Sequence, residues 1–291
     1  MGIISLGHYH LFCFGYGYSA KCLAPHLIER GWVVSATSRS ITEYPFDGVT
    51  VVDFDKINKD TFKHVTHILV SVPPNSHGDP VLLKHTRLIN DLPNLHWVGY
   101  LSTTGVYGNT DGALVNECSP LNPTNERSKF RLLAEKSWLG LNSSYGLPVH
   151  IFRLAGIYGS GRNTLKRVMA GRAQRIELPG QKFSRVHVED MVRVLIASMT
   201  NREPGEVYNV CDDEPASQLD VVEYSCKILG IKPPALISFE EAKKKMSPMA
   251  LSFWKDNRRV DNTKIKNNLG VSLLYPTYRA GLTAILENEI G

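Results

Sequence analysis

The sequence predicts an open, parallel α/β sheet with helices on both faces, followed by a smaller C-terminal lobe. Short apolar runs recur along the first two thirds of the 291 residues, and helical patterns separate several of them. Strands that alternate with helices pair in parallel and are covered on both faces. A glycine-containing turn follows the first apolar run directly. These features together are typical of a doubly wound sheet, which binds its ligand at the carboxyl ends of the strands.

The first strand, turn and helix follow the order that phosphate binding requires. The apolar run Leu11–Phe14 leads into a turn with Gly15 and Gly17, and an amphipathic helix then continues as far as Gly31. Gly15 permits the tight turn, and Gly17 lets the backbone approach a pyrophosphate. Ala20 keeps the helix close to the sheet. This pattern predicts a Rossmann-type, dinucleotide-binding unit.

The same unit favours NADP over NAD. The N–H groups of Tyr18 and Ser19 open the helix, where such groups bind the phosphates of a nucleotide. Ser38 and Arg39 end the second predicted strand, at the place where a carboxylate would accept the ribose 2′-hydroxyl of NAD. Arg and Ser instead offer charge and donors to a 2′-phosphate. The alternative interpretation of Arg39 is a surface arginine on a loop, in which case the cofactor could equally be NAD.

The later elements extend the sheet and then form the lobe. The further predicted strands are Val33–Ser38, Val49–Phe54, His67–Val72, Leu95–Leu101, Val149–Leu154 and Val207–Val210. The predicted helices are Val81–Leu92, Lys129–Leu141, Gln218–Leu229, Phe239–Met246 and Tyr278–Glu289. Polar residues and glycines gather at the strand ends, so these segments are expected to surround one site. The predicted domains are a sheet domain, 1–155 with about 182–212, and a smaller substrate lobe, 156–181 with 213–291.

Composition excludes several classes of protein. The apolar fraction of 43% suffices for a large core, and a net charge of +5 is too small to indicate nucleic acid. The sequence shows neither an apolar run of about 20 residues, as a membrane span needs, nor a signal peptide. Five cysteines without a C-x-x-C pair favour a reducing compartment, and the ten histidines show no metal-ligand spacing. We therefore expect a cytoplasmic protein with a small-molecule substrate, no metal, and no nucleic-acid or membrane partner.

Motifs along nearly the whole chain resemble the extended and atypical short-chain dehydrogenase/reductases. This group includes NAD(P)-dependent nucleotide-sugar epimerases and dehydratases. The stretches that carry the resemblance are 14–20, 52–55, 101–108, 153–159, 185–190, 207–210, 213–215 and 266–270. The resemblance implies that Asp53 and Phe54 border the adenine. It also implies that Ser71, Val72 and Pro73 pass under the cofactor ribose.

The resemblance implies catalytic and substrate residues as well. Thr103 occupies the place of the family's catalytic Ser/Thr, whose hydroxyl bonds the substrate oxygen that is oxidised or reduced, and Thr104 follows it. Lys129 would lie near the nicotinamide ribose. Arg153 and Arg185 would contact the anion of a phosphorylated substrate. For Thr103 and Thr104 the alternative is that their hydroxyls only satisfy local backbone groups at the strand end. For Arg185 the alternative is a salt bridge to a nearby carboxylate.

The chain departs from the family at the catalytic dyad. The family carries a Tyr and, four residues later, a Lys that lowers the pKa of the phenol so that it can exchange a proton near neutral pH. No Tyr of this sequence has a Lys four residues later. The expected window allows two registers, Asn125 with Lys129 or Arg127 with Arg131. Neither supplies a phenol, and neither Asn nor Arg can serve as a proton carrier at neutral pH.

Three chemistries therefore remain open. A phenol could come from Tyr107, Tyr145 or Tyr158; the proton could come from substrate or water; or the cofactor could bind without turnover. The predicted function is an NAD(P)-dependent oxidoreductase or epimerase/dehydratase-like enzyme acting on a small polar, nucleotide-linked substrate. The alternative is a non-catalytic NAD(P)-binding sensor or interaction protein. A homodimer is expected to pair through the leucines and Trp138 of the Lys129–Leu141 helix.

Overall fold

The computed structural model describes residues 9–38, 48–200 and 203–289. Its strands are β1 (His10–Phe14), β2 (Val33–Thr37), β3 (Val49–Val52), β4 (His67–Val70), β5 (Trp97–Thr103), β6 (Leu114–Val115), β7 (Val149–Leu154), β8 (Gly156–Tyr158), β9 (Arg175–Glu177), β10 (Arg185–His187), β11 (Val207–Val210), β12 (Leu236–Ser238) and β13 (Arg259–Val260). Its helices are α1 (Tyr18–Ile28), α2 (Lys59–Phe62), α3 (Pro80–Asn90), α4 (Glu126–Tyr145), α5 (Thr164–Met169), α6 (Val188–Met199), α7 (Gln218–Leu229), α8 (Phe239–Lys243), α9 (Pro248–Trp254), α10 (Thr263–Leu269) and α11 (Tyr278–Glu289).

The large sheet has the strand order β11-β7-β5-β4-β1-β2-β3. β1 pairs in parallel with β2 on one side and with β4 on the other. The direction of strand progression therefore reverses between β1 and β4, and ligands of such sheets bind at this switch point. Gly15 and Ser71 directly follow β1 and β4, so both stand there. The predicted doubly wound α/β sheet is confirmed.

Side-chain caps explain where the predicted element boundaries were displaced. β3 ends at Val52 because Asp53 accepts the backbone N–H of Asp55 and starts a short 3-10 turn instead. α4 begins earlier than predicted because Asn125 accepts the N–H of Ser128 at 3.0 Å. The ends of β7, β11, α7 and α11 match the sequence prediction.

An aromatic core supports β1. The ring of Phe62 lies edge-on to the rings of Phe12 and Phe14, with centroids 4.9 Å and 6.0 Å apart. Trp138 of α4 is fully buried in this core. Its indole N–H donates to Asp79, which also caps α3 by accepting two backbone N–H groups. Trp138 therefore joins α4 to α3 inside the core, and the prediction that it serves a dimer surface was wrong.

The chain forms two compact units. The first comprises the described residues up to Ser102 with Phe130–Phe152 and Leu195–Val207, and the second comprises the rest of the described chain. Residues 103–129 and 182–194, which the sequence analysis placed in the sheet domain, group with the second unit. That unit has its own core, which includes Tyr158, Leu165, Tyr278 and Leu282. No helix within the described ranges is both long enough and apolar enough to span a membrane.

Two buried histidines of the first unit should make stability depend on pH. Burial lowers the pKa of His67 to about 3 and that of His150 to about 4, from an ordinary 6.5. At pH values between the pKa of each folded histidine and 6.5, the unfolded chain binds more protons than the folded one. The free energy of unfolding therefore falls as the pH falls below 6.5. Each histidine contributes up to about 1.4 kcal/mol per pH unit. Denaturant titrations at several pH values from 7.5 to 5 measure how the free energy of unfolding changes with pH. An unchanged pH dependence in the His67→Phe/His150→Phe variant would contradict the role of these two histidines.

Candidate functional site

The turn after β1 is held from both neighbouring strands. Gly15 has a φ of +93°, and a Cβ added there would lie 2.7 Å from Ser71 Oγ. The Ser71 hydroxyl reaches the carbonyl oxygens of Phe14 and Gly15, at 3.1 and 2.9 Å. From β2, Thr37 accepts the N–H of Gly15 on its Oγ1 and the N–H of Tyr16 on its carbonyl. The turn therefore requires glycine both for its left-handed backbone and for the close approach of Ser71.

Gly17 leaves open space at the start of α1. Apart from Gly17 and its two chain neighbours, no described residue has an atom within 4 Å of the position that a Cβ on Gly17 would take. Gly17 provides no side-chain cap, and the first turn of α1, which includes Tyr18 and Ser19, contains no acidic residue. Ala20 is fully buried and brings the helix against the sheet. An approachable backbone at a helix N-terminus fits the pyrophosphate of a dinucleotide.

The other predicted cofactor residues lie at strand ends of the same unit. Those described are half-buried or exposed: Ser38, Asp53, Phe54, Val72 and Pro73. Ser38 directly follows Thr37, and Arg39 lies outside the described residues. One carboxylate oxygen of Asp53 accepts the N–H of Asp55 at 2.9 Å, which fixes the side chain beside the end of β3.

Thr103, in the second unit, keeps a hydroxyl proton to donate. Its Oγ1 accepts the N–H of Gly105 at 3.1 Å, and no acceptor for its own O–H is found among the described residues. Thr104 is buried in the 3-10 turn that follows. A Cβ on Gly105 would lie 2.5 Å from Ser128 Oγ, so this turn packs tightly against the start of α4. Thr103 is thus held by the backbone in an orientation that leaves its proton available.

The cations of α4 have different surroundings. Lys129 is exposed and pairs with Glu126 at 2.9 Å. Arg131, two residues on, is half-buried and donates to the carbonyl oxygen of Leu101 on β5. Arg131 therefore contacts the sheet, whereas Lys129 pairs on the exposed side of the helix.

The candidate tyrosines do not replace the family's phenol. The Tyr107 hydroxyl is buried, donates to Asn209 at 2.7 Å and accepts from Arg153 at 2.9 Å. Burial raises the pKa of both Tyr107 and Tyr158. Tyr145 is 67% exposed at the end of α4. Arg153 is only 3% exposed, so this predicted substrate residue is part of an internal network.

Arg185 is likewise occupied by the backbone. Its guanidinium donates to the carbonyl oxygens of Phe183 and Ala216, at 2.8 and 2.9 Å. Burial lowers its pKa, and the charge of Asp212 opposes that effect. Burial raises the pKa of Asp212 itself to about 8. The described residues contain no group of three His, Cys, Asp or Glu side chains that could hold a metal ion.

Sequence reasoning missed a clamp around Asp256. This buried carboxylate accepts from Thr124 Oγ1 at 2.6 Å and from Arg258 at 2.9 Å. Arg258 also donates to the carbonyl oxygen of Gly108 at 2.9 Å. The clamp therefore fixes the residues before α4 and those after the 3-10 turn of Thr104. No local sequence pattern predicts this clamp, because its residues are far apart along the chain.

Comparison with known proteins identifies the family. The model of the NAD dependent epimerase/dehydratase family matches residues 15–211, from the glycine turn to the end of β11, and the chain belongs to that family. Protein YeeZ of Escherichia coli (strain K12) is 26% identical over 282 residues, which cover 90% of this chain and 94% of that protein. The resemblance drawn from the motifs is confirmed.

Two solved structures share the fold of this chain. A functionally unknown conserved protein from Silicibacter pomeroyi DSS is 43% identical, with a TM-score of 0.89 over 97% of this chain and 99% of that one. The UDP-glucuronic acid 4-epimerase of Bacillus cereus, in complex with UDP-glucuronic acid and NAD, has a TM-score of 0.75 at 18% identity. It covers 96% of this chain and 98% of its own, and it shows the shared fold.

Substitutions at the two glycines of the turn should affect cofactor binding and stability separately. Gly17→Val should leave the fold intact, because the new side chain meets open space, but should abolish NADP(H) binding by filling the phosphate approach. Gly15→Ala should instead lower the free energy of unfolding by about 1–2 kcal/mol, because a φ of +93° disfavours a Cβ. Thermal unfolding and cofactor titration measure the two effects, with Gly140→Ala on the exposed side of α4 as the control. Undiminished cofactor affinity in Gly17→Val would exclude this turn as the phosphate site.

Proposed function

We propose that the protein is an NAD(P)-dependent oxidoreductase or epimerase/dehydratase that acts on a sugar nucleotide, with NADP favoured. The observation that carries the proposal is the glycine turn at the switch point of a chain from this family. Fixed by Ser71 and Thr37, the turn presents the start of α1 to an anion. The Bacillus cereus relative, which binds NAD and UDP-glucuronic acid, supports the substrate class.

The first unit supplies the residues for the cofactor. The backbone at Gly17, Tyr18 and Ser19 would bind the pyrophosphate, and Asp53 and Phe54 would border the adenine. When bound, the nicotinamide exchanges a hydride with a carbon of the substrate. Ser71 holds the turn through two carbonyl oxygens, so its contribution to binding is to keep that backbone in place.

One hydroxyl group is proposed to orient the reacting oxygen. We assign this role to Thr103, whose O–H can donate while its oxygen accepts from Gly105. We assign the positive charge that the family places beside this strand to Arg131 in preference to Lys129, because Arg131 contacts β5 and Lys129 pairs with Glu126. The proton would then come from water or substrate, with charge stabilisation as the contribution of the chain.

One observation favours a second candidate, a cofactor-binding protein without turnover. The chain has no Y-x-x-x-K sequence, and the phenols of Tyr107 and Tyr158 are buried with raised pKa values. Such a protein would bind NADP(H) with full affinity and convert no substrate.

We also propose a cytoplasmic location and a homodimer. The five cysteines include no C-x-x-C pair, a usage that favours a reducing compartment. Three apolar side chains are each at least 60% exposed: Leu83 on α3, and Leu133 and Tyr145 on α4. They offer apolar contact area to a second copy of the chain.

Cofactor preference tests the reading of Ser38 and Arg39. NADPH should bind about tenfold or more tightly than NADH, since a charge-assisted contact is worth about 1.5–3 kcal/mol. Arg39→Ala should remove most of the difference, and Arg30→Ala, an exposed arginine after α1, should not. Nicotinamide fluorescence titration measures both constants. Equal affinities in the unaltered protein would contradict the NADP assignment.

Turnover tests the catalytic assignment. Thr103→Val should reduce kcat for sugar nucleotides and leave NADPH affinity within a few-fold, because the hydroxyl is assigned to the substrate oxygen. The double change Arg127→Tyr/Arg131→Lys restores the family dyad in the register that contains Arg131, and it should raise the rate. Absorbance at the nicotinamide band follows both. If no variant and no parent converts any of a panel of UDP- and dTDP-sugars, the binding protein becomes the better description.

A further inference from the structure

The strand register indicates where the adenosine half of a dinucleotide would lie. β2 and β3 pair in parallel, and Thr37 is opposite Val52 where the pairing ends. Ser38 and Asp53, the next residues, therefore follow neighbouring strands at the same edge of the sheet. In sheets of this kind the ribose that carries the adenine binds at the end of the second strand. The adenine is thus expected beside the end of β3, where Phe54 follows Asp53.

Two aromatic neighbours support the ring of Phe54. This residue is half-buried and opens the short 3-10 turn after β3. Its ring lies edge-on to the rings of His85 on α3 and Phe14 on β1, with centroids 4.8 and 6.1 Å away. A half-buried phenyl group that is supported from inside still presents surface to a ligand, and aromatic side chains pack well against nucleotide bases.

His85 contacts both ends of the site for the adenosine half. Its imidazole stacks on the ring of Phe14 with centroids 5.6 Å apart, and Phe14 directly precedes Gly15 of the phosphate turn. The same imidazole packs against Phe54 at the adenine end. His85 is only 2% exposed, and its Nε2 has no hydrogen-bond partner among the described residues. The ring is therefore placed to act through the two phenyl groups and not through a contact with a ligand.

The surroundings of His85 keep its ring uncharged near neutral pH. Burial lowers the pKa of His85 below the ordinary 6.5, and hydrogen bonding to the backbone of Phe54 opposes that effect. The charged groups nearby are Lys84 and Asp55, which pair with each other and so join α3 to the turn that contains Phe54. The Lys84 ammonium also lies 5.7 Å from the centre of the Phe54 ring. The turn is thus fixed to α3 by two adjacent residues of that helix.

We propose that His85 is a positioning residue of the cofactor site, which holds the Phe54 ring in place against the adenine. The inference rests on the proposed function and adds to it a residue that the cofactor does not touch. Without the imidazole, the phenyl group could turn into the space left behind. Cofactor binding would then have to order that ring again, and this loss of entropy weakens binding.

The test measures the two halves of the cofactor separately. Calorimetric titrations of the full chain use 2′,5′-ADP for the adenosine half and reduced nicotinamide mononucleotide for the other half. His85→Ala should weaken the binding of 2′,5′-ADP about two- to tenfold, the range expected for an aromatic contact, and leave that of the mononucleotide unchanged. His85→Phe keeps an aromatic ring at this position and should recover most of the loss. The control is Ile89→Ala, one turn further along α3 and equally buried, which should lower Tm without weakening 2′,5′-ADP.

Four other outcomes would overturn the inference. Equal losses of affinity for 2′,5′-ADP in His85→Ala and Ile89→Ala would show that His85 only supports the core. Equal losses for both half-ligands in His85→Ala would show damage to the whole site. A loss in His85→Phe as large as that in His85→Ala would exclude the ring contacts as the cause. If the unaltered protein binds neither NADPH nor NADH, the inference and the proposed function fall together, whereas the first three outcomes leave that function standing.

Discussion

The left-handed backbone at Gly15 is the constraint on which the first unit depends. It turns the chain from β1 into α1 within three residues, and only glycine tolerates both its φ and the approach of Ser71. The hydroxyls of Ser71 and Thr37 then secure the turn from β4 and β2, the two neighbours of β1. Hydrogen bonds thus fix the turn at Gly15, while the backbone at Gly17 remains accessible. Because Gly15 is fixed, the accessible backbone of Gly17 is held in place for a ligand.

The start of α4 departs from the pattern of the family that the sequence resembles. Where the family carries a group that can gain and lose a proton, this helix carries Arg127, and four residues later Arg131. A guanidinium offers five N–H donors and no acceptor. Such a site can stabilise negative charge and orient a substrate, but it cannot store a proton between steps. Thr103 offers a hydrogen bond under the same limitation, since a hydroxyl of ordinary acidity donates without ionising.

Local signals determined which parts of the structure were predictable. The β1–α1 turn was found because glycine spacing and apolar periodicity act within twenty residues, and β7, β11, α7 and α11 because their apolar patterns are unbroken. Interactions that join distant residues left no such pattern. Arg153 looked like an anion contact at a strand end, yet it is buried against Tyr107. The choice between Lys129 and Arg131 likewise needed the direction of each side chain, which spacing alone does not give.

The bond from Thr124 to Asp256 spans 132 residues, and this separation orders events during synthesis. At the usual rate of about 5–20 residues per second, a ribosome needs on the order of 10 s to pass from one partner to the other. During that interval the residues before α4 lack the carboxylate that later fixes them. Strands near the N-terminus can pair meanwhile, because their partners are already present. The residues before α4 are therefore fixed late in synthesis, and a ribosome that stalls before Asp256 leaves a protein with its glycine turn but without this clamp.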